Sequence, residues 1–234
     1  AFGEWCVLAA RPGQLKSTFA MHWQSTAALH GHTSLLVQLE MSKKQVSKKV
    51  CIQAGVDLSL LKTVDGARRA HEQVKRYFES RAKCLFETGC NQIDALERTI
   101  EFYVEQYGIR FVIIDHQGYV WWRRESEYVD QTEIAKRVKR IAKDNDIAIV
   151  SLVHLRRPPS TQGKTSREPT LDQLRASGEI EQSADVVIGA RWPDAESKAA
   201  GKETYLLYPL KCRDRDFDSQ PFKVRAITHE QRFE

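Results

Sequence analysis

Trp5-Cys6-Val7-Leu8-Ala9-Ala10-Arg11-Pro12-Gly13-Gln14-Leu15-Lys16-Ser17-Thr18 is the stretch whose reading decides the fold. An apolar strand runs into a Pro/Gly turn, and Lys-Ser-Thr then opens an amphipathic segment. This order suits a loop that wraps phosphate with backbone N–H groups, reaches the outer phosphates with Lys16 and offers the Ser17 hydroxyl to a magnesium ion. Against the strict pattern G-x-x-x-x-G-K-[ST], Ala10 holds the first glycine's place and Leu15 the second's. The motif is weak alone, because a lysine and a serine after a turn are commonplace. The rest of the chain decides it.

The length of 234 residues suits one α/β domain, and the hydrophobic share of 41% and charged share of 29% are ordinary for a globular chain. No apolar run is long enough to span a bilayer, so no membrane partner is expected. Cys6, Cys51, Cys84, Cys90 and Cys212 are odd in number and form no C-x-x-C pair, which argues against a disulfide framework or zinc site and for a reducing, intracellular compartment. The net charge of +5 permits nucleic-acid binding without arguing for it. Since the chain starts almost on its first strand, residues 1–234 are expected to be a single domain excised from a longer protein.

Strand and helix patterns alternate throughout. A helix is expected over 17–30, ended by Gly31, and a strand from Leu35 to Leu39. Ser42 and Gln45 form a capping box for a helix to about Ala54. Further helical patterns cover 67–80 and Ile93 to Tyr107, with a strand at Cys84 to Phe86. Phe111 to Ile114 is a buried-type strand ending in Asp115, and Asp130 with Glu133 frames the next helix start. Strands follow at Ile147–Val153 and Asp185–Ala190, then a hairpin pairing Tyr205–Lys211 with Pro221–Ala226. The rhythm calls for a mostly parallel twisted sheet with helices on both faces and a C-terminal β-hairpin.

Ligands bind at the carboxyl ends of the strands in such sheets. There the sequence places the Lys16 loop, Glu40, Asp115 and His154. Each has a bland alternative: a solvated carboxylate, a cap, a satisfied histidine. Their joint arrival beside a Lys-Ser turn favours phosphoryl transfer to water, which needs positioned groups and neutralised charge. Lys16 would offset phosphate charge, Ser17 would ligate magnesium, Asp115 would hold it through water, Glu40 would polarise the attacking water, and His154 would sense the terminal phosphate.

From Leu155 to Ser183 no convincing period appears, and Arg156, Arg157, Lys164, Arg167 and Arg175 make the stretch basic. With backbone N–H groups at Ser177-Gly178, it reads as a contact for a nucleic-acid backbone, the alternative being a solvated loop. Tyr119-Val120-Trp121-Trp122-Arg123-Arg124 is a second candidate, for stacking on bases or packing against a neighbouring subunit.

Taken together, these strings resemble the motor domain of RecA-like hexameric replicative DNA helicases, the DnaB-type, phage primase-helicase and Twinkle group. Ala9-Ala10-Arg11-Pro12 is similar to the loop entry, Leu39-Glu40-Met41-Ser42 to the segment bearing the catalytic glutamate, and Ile114-Asp115-His116 to the phage-type Walker B ending. His154 stands where phage enzymes carry histidine. Leu174-Arg175-Ala176-Ser177-Gly178, continuing to Glu181-Gln182-Ser183-Ala184-Asp185, is similar to the DNA-loop signature. Leu210-Lys211-Cys212-Arg213 is similar to the arginine-finger motif. The resemblance implies a P-loop NTPase core binding ATP or another NTP with Mg2+ through residues 11–18. It also implies a homo-hexameric ring on single-stranded DNA, Arg213 and Lys211 acting on the neighbour's nucleotide, and a primase domain or primase partner.

Leu15 departs from the family pattern. If the backbone there needs a positive φ, a Cβ costs roughly 1 kcal/mol or more. A shifted loop in which Gly13 supplies the tight turn would accommodate it. The readings kept open are therefore an ATP-dependent helicase motor, a hydrolysis-impaired nucleotide- and DNA-binding module, and a RecA-like recombinase or clock-type ATPase.

Overall fold

The computed structural model describes residues 2–79, 81–156, 168–174, 178–193, 204–213 and 216–234. Strand β1 (Trp5–Ala10) feeds helix α1 (Lys16–Leu29), followed by β2 (Ser34–Gln38), α2 (Lys43–Gln53), α3 (Val64–Glu79) and β3 (Cys84–Glu87). Then come α4 (Ile93–Tyr107), β4 (Phe111–Asp115), α5 (Glu127–Asp144), β5 (Ala148–His154), α6 (Gly178–Ser183) and β6 (Val186–Arg191). Strands β7 (Thr204–Cys212), β8 (Phe222–Ile227) and β9 (Arg232–Phe233) complete one sheet of order β3-β2-β4-β5-β1-β6-β7-β8-β9. Pairing is parallel from β3 to β6 and antiparallel from β6 to β9.

Both faces of the central strands are buried, which is why they read as continuous apolar runs. Val7 and Ala9 of β1 point to the face covered by α4 and α5, against Leu96, Ile100, Ile134 and Val138. Leu8 and Ala10 point to the opposite face, against Phe19, Ala20 and Met21 of α1. A smaller cluster of Ala54, Val56 and Ala70 ties α2 to α3.

The expected strands and helices are present, with three differences. Helix α5 starts one turn earlier than Asp130 and Glu133 suggest, because the Ser126 side chain caps it by accepting from Val129 N–H. The buried Asp130 carboxylate instead accepts the backbone N–H groups of Trp122, Arg123 and Arg124 at 3.1, 3.3 and 3.1 Å, folding the basic-aromatic run into a tight turn. The stretch between Leu155 and Ser183 is not wholly structureless: Leu155 bridges Leu174, both are buried, and α6 inserts Ile180 into the core. Last, β9 follows the expected hairpin, and Phe233 stacks on Phe19 with centroids 3.6 Å apart. That contact carries the C-terminal segment back to α1.

Candidate active site

Strand register explains why distant residues meet. Ala10 pairs with His154 across β1 and β5, and Gln38 pairs with Asp115 across β2 and β4, so these ends lie along one rim. The loop that β1 delivers, residues 12–18, lines a cleft of about 560 Å3 together with Glu40, Met41, Gln45, Lys49, Tyr119 and His154. That volume is in the range of small-molecule sites.

Gly13 has φ 72° and Leu15 has φ 56° with ψ 20°, so both sit in the left-handed region. Gly13 supplies a left-handed turn as expected, and Leu15 adopts the strained conformation as well. Its partly buried side chain packs against the cluster containing Phe19, and its carbonyl accepts from Thr18 and Phe19 N–H at 3.0 and 3.1 Å. Packing and the first helical turn thus offset an unfavourable backbone angle. The loop is also held from behind. Gln14 Oε1 accepts from Trp192 N–H at 2.8 Å, and the Gln14 carbonyl accepts from the Tyr205 hydroxyl.

The Lys16 side chain is buried, and its ammonium donates to the Ala10 and Arg11 carbonyls, both at 3.2 Å. Burial pulls its pKa down to about 8, against the opposing pull of Asp115 and Glu40. Arg11 holds a buried Nη2 with no hydrogen-bond partner among the described residues. Ser17 is half-buried beside the Asp115 carboxyl. Thr18 is buried and donates its hydroxyl to Gln231 Oε1 at 3.1 Å. Pro12 and Gly13 are exposed at the lip.

Asp115 is fully buried and does not cap the following turn. Its Oδ2 accepts from Gln38 Nε2 at 2.7 Å, while Oδ1 accepts no hydrogen bond of ordinary geometry among the described residues. Burial raises its pKa; Ser17, Gln38 and the charges of Lys16 and Lys49 oppose that. Gln38 Oε1 accepts from the backbone N–H groups of Glu40 and Met41 at 3.0 and 3.1 Å, which fixes the turn that presents Glu40. The Glu40 carboxyl is raised by burial and then by Asp115, and lowered by Lys16. His154 stands at the end of β5, its ring 4.2 Å from that of His116 and at 67° to it.

The structure thus brings Lys16, Ser17, Glu40 and His154 to one cleft, with Asp115 buried behind it against Ser17 and near Lys16. Lys211 and Arg213 lie apart, engaged within the chain. Lys211 Nζ donates to the Ala184 carbonyl at 2.6 Å and to those of Glu181 and Gln182, while Arg213 donates to the Gln182 carbonyl and pairs with Asp185 at 3.6 Å. Arg156 is exposed, and its N–H donates to the Gln173 carbonyl; Gly178 is the first residue of α6. Arg157, Lys164, Arg167, Arg175 and Ser177 lie outside the described residues.

Gln38, Lys49 and His116 also belong to the site, although sequence reasoning gave them no role. Gln38 sits two residues before Glu40 on the same strand end, and Lys49 one turn beyond Gln45 on α2, so spacing alone carried a signal for both. His116 directly follows Asp115. Gln231, which bonds Thr18 and Lys49, had no readable signal.

A strand–loop–helix with left-handed turns and a buried lysine, set on this sheet, defines a RecA-like ATPase fold. The family model for the DnaB-like helicase C-terminal domain matches residues 2–214, and the chain belongs to that family. The replicative DNA helicase DnaB of Leifsonia xyli subsp. xyli is 29% identical over 196 residues, covering 80% of this chain and 42% of that protein. The chain spans about two-fifths of the length of the curated relatives it matches. Among solved structures, an isolated ATPase domain superposes with a TM-score of 0.81 at 20% identity, covering 100% of this chain and 85% of the other. A DnaB-like replicative helicase described with its interactions with primase gives 0.80 at 21%, covering 99% of this chain and 57% of the other.

Proposed function

We propose that this chain is the motor domain of a replicative DNA helicase, hydrolysing ATP or a related nucleoside triphosphate to move on single-stranded DNA. The observation that carries the reading is the convergence of Lys16, Ser17, Glu40 and His154 on one cleft of suitable size, with the buried Asp115 carboxyl beside Ser17. Residues 1–234 are read as one domain of that motor, since one sheet runs from β3 to β9.

The donor set suits a magnesium nucleotide. Asp115 Oδ1 is a buried acceptor left without a hydrogen bond of ordinary geometry, and Ser17 lies beside it. Those two residues would hold the ion, which when bound offsets phosphate charge. Lys16 leaves the Ala10 and Arg11 carbonyls for the outer phosphates. Glu40 takes a proton from the attacking water, and burial, which raises its pKa, makes it a stronger base than a solvated carboxylate. His154 stands beside Glu40 to register the terminal phosphate.

Arg213 and Lys211 act on the nucleotide of an adjacent copy in a hexameric ring, after release from α6. The segment from Arg156 to Gly178 contacts the DNA backbone through phosphates, so affinity falls with salt. One relative's interaction with primase makes a primase domain or partner the expected companion here. Among the described residues no helix is long and apolar enough to cross a membrane. The site of action is a reducing intracellular compartment.

Steady-state ATPase with and without single-stranded DNA tests the reading. The wild type should show stimulated turnover, Lys16→Ala none, and Glu40→Gln tight binding with slow hydrolysis. Nucleotide binding without turnover in the assembled wild-type protein would leave the hydrolysis-impaired module standing instead.

A further inference from the structure

His116 is 8% exposed and neighbours both Glu40 and His154. Its Nε2 lies 4.0 Å from Glu40 Oε2, and its ring meets those of His154 and Tyr119 at centroid distances of 4.2 and 4.6 Å. The other ring nitrogen fixes its chemistry. Nδ1 accepts the backbone N–H of Gly118 at 3.0 Å, so the neutral ring carries its proton on Nε2, the atom turned toward Glu40.

Gly118 makes that bond possible by close approach. A Cβ at Gly118 would lie 2.6 Å from His116 Cε1 and 2.9 Å from Nδ1, so any side chain there displaces the ring.

Ligand atoms of Glu40, His116 and His154 lie within 4.8 Å of one another, which suggests a transition-metal site. The Gly118 hydrogen bond argues otherwise. A metal on Nε2 would send the ring's proton to Nδ1, against the Gly118 N–H that donates to it.

We propose that His116 is a positioning residue for hydrolysis, using its Nε2–H to aim the Glu40 carboxylate at the attacking water. The Gly118 N–H and the His154 and Tyr119 rings hold the imidazole in place. The 4.0 Å separation exceeds a hydrogen bond, and rotation of the 40%-exposed Glu40 side chain closes it when nucleotide fills the cleft. The inference rests on Glu40 acting as the base.

The test is ATPase kinetics of the assembled protein on single-stranded DNA, comparing His116→Phe, His116→Asn and His116→Gln. Glutamine places a side-chain N–H near the position of Nε2; asparagine is too short, and phenylalanine has none. Phe and Asn should lower kcat by about tenfold to a hundredfold, the effect of misaiming a reacting group, with KM for ATP unchanged. Gln should stay within about threefold of wild type. In a Glu40→Gln background, His116→Asn should cost nothing further. If His116→Phe fails to fold by circular dichroism, the Asn and Gln pair decides alone.

Equal rates for Asn and wild type would overturn the proposal, as would the same fold-loss in the Glu40→Gln background. Wild-type turnover in Glu40→Gln itself would instead remove the base on which the inference stands, and so marks a different failure.

Discussion

Gln38 donates its side-chain amide to Asp115 Oδ2 at 2.7 Å while its oxygen accepts the backbone N–H groups of Glu40 and Met41. One side chain therefore supports the buried carboxylate and fixes the turn presenting Glu40. Gln38→Ala leaves Asp115 Oδ2 and two amides without these partners, at a cost of about 1–3 kcal/mol for a buried acceptor. Chemical denaturation should show that loss, and kcat should fall together with it.

Asp130 organises Trp122, Arg123 and Arg124 in the same way, through three backbone N–H groups on one carboxylate. The arginines lie over the adjacent tryptophan rings, Arg123 4.3 Å from the Trp122 centroid and Arg124 4.5 Å from that of Trp121. Asp130→Ala should lower stability by about 1–3 kcal/mol. Trypsin should then cut after Arg123 and Arg124 faster than the general loss of stability accounts for, as judged against a protease acting elsewhere.

These relationships mark what the sequence disclosed. Strand ends were legible because a buried parallel strand is an unbroken apolar run, and the polar residue ending it faces the shared crevice. That logic placed Asp115 and His154 at strand ends, where the structure has them. The capping box at Ser42 and Gln45 was legible because it is a local rule, and both of its hydrogen bonds are present. Asp130 misled because a carboxylate near a helix start has two uses, and only the fold shows the tight turn whose N–H groups it accepts. Gln231 was invisible because its partners, Thr18 and Lys49, lie far away in sequence and meet it where the C-terminal segment folds back, with Phe233 stacked on Phe19.

That C-terminal strap carries a pH dependence. Phe233 N–H donates to His22 Nδ1 at 3.4 Å, so the bond needs that nitrogen unprotonated. Burial first, and the Arg232 charge second, hold the His22 pKa below its ordinary 6.5. Above about pH 6.5 the ring is neutral in both folded and unfolded chains. Below it the unfolded chain takes up a proton that the folded chain resists, so stability falls as pH drops through 6.5. Melting curves at about pH 7.5 and about pH 5.5, either side of that value, should show a larger decrease for wild type than for His22→Asn, which cannot titrate.

Leu15 gives the prediction on which the phosphate loop's competence turns. Its backbone already holds the left-handed geometry, at a cost of about 1–2 kcal/mol for a residue with a Cβ. Leu15→Gly removes that cost but frees the unfolded chain by roughly 0.4–1 kcal/mol and gives up partial packing against the Phe19 cluster. The two sides nearly cancel, so stability should change by no more than about 1 kcal/mol. Leu15→Val keeps an apolar group yet puts a β-branched residue at positive φ, and it should be the more damaging change. Nucleotide affinity should follow a different order. The leucine lines the cleft, so glycine widens the approach to the loop and should bind ATP at least as tightly as wild type. Denaturation curves and fluorescent-nucleotide titrations of the two variants separate these effects. A glycine variant destabilised more than the valine one would show that the Leu15 side chain, not the backbone angle, governs the loop.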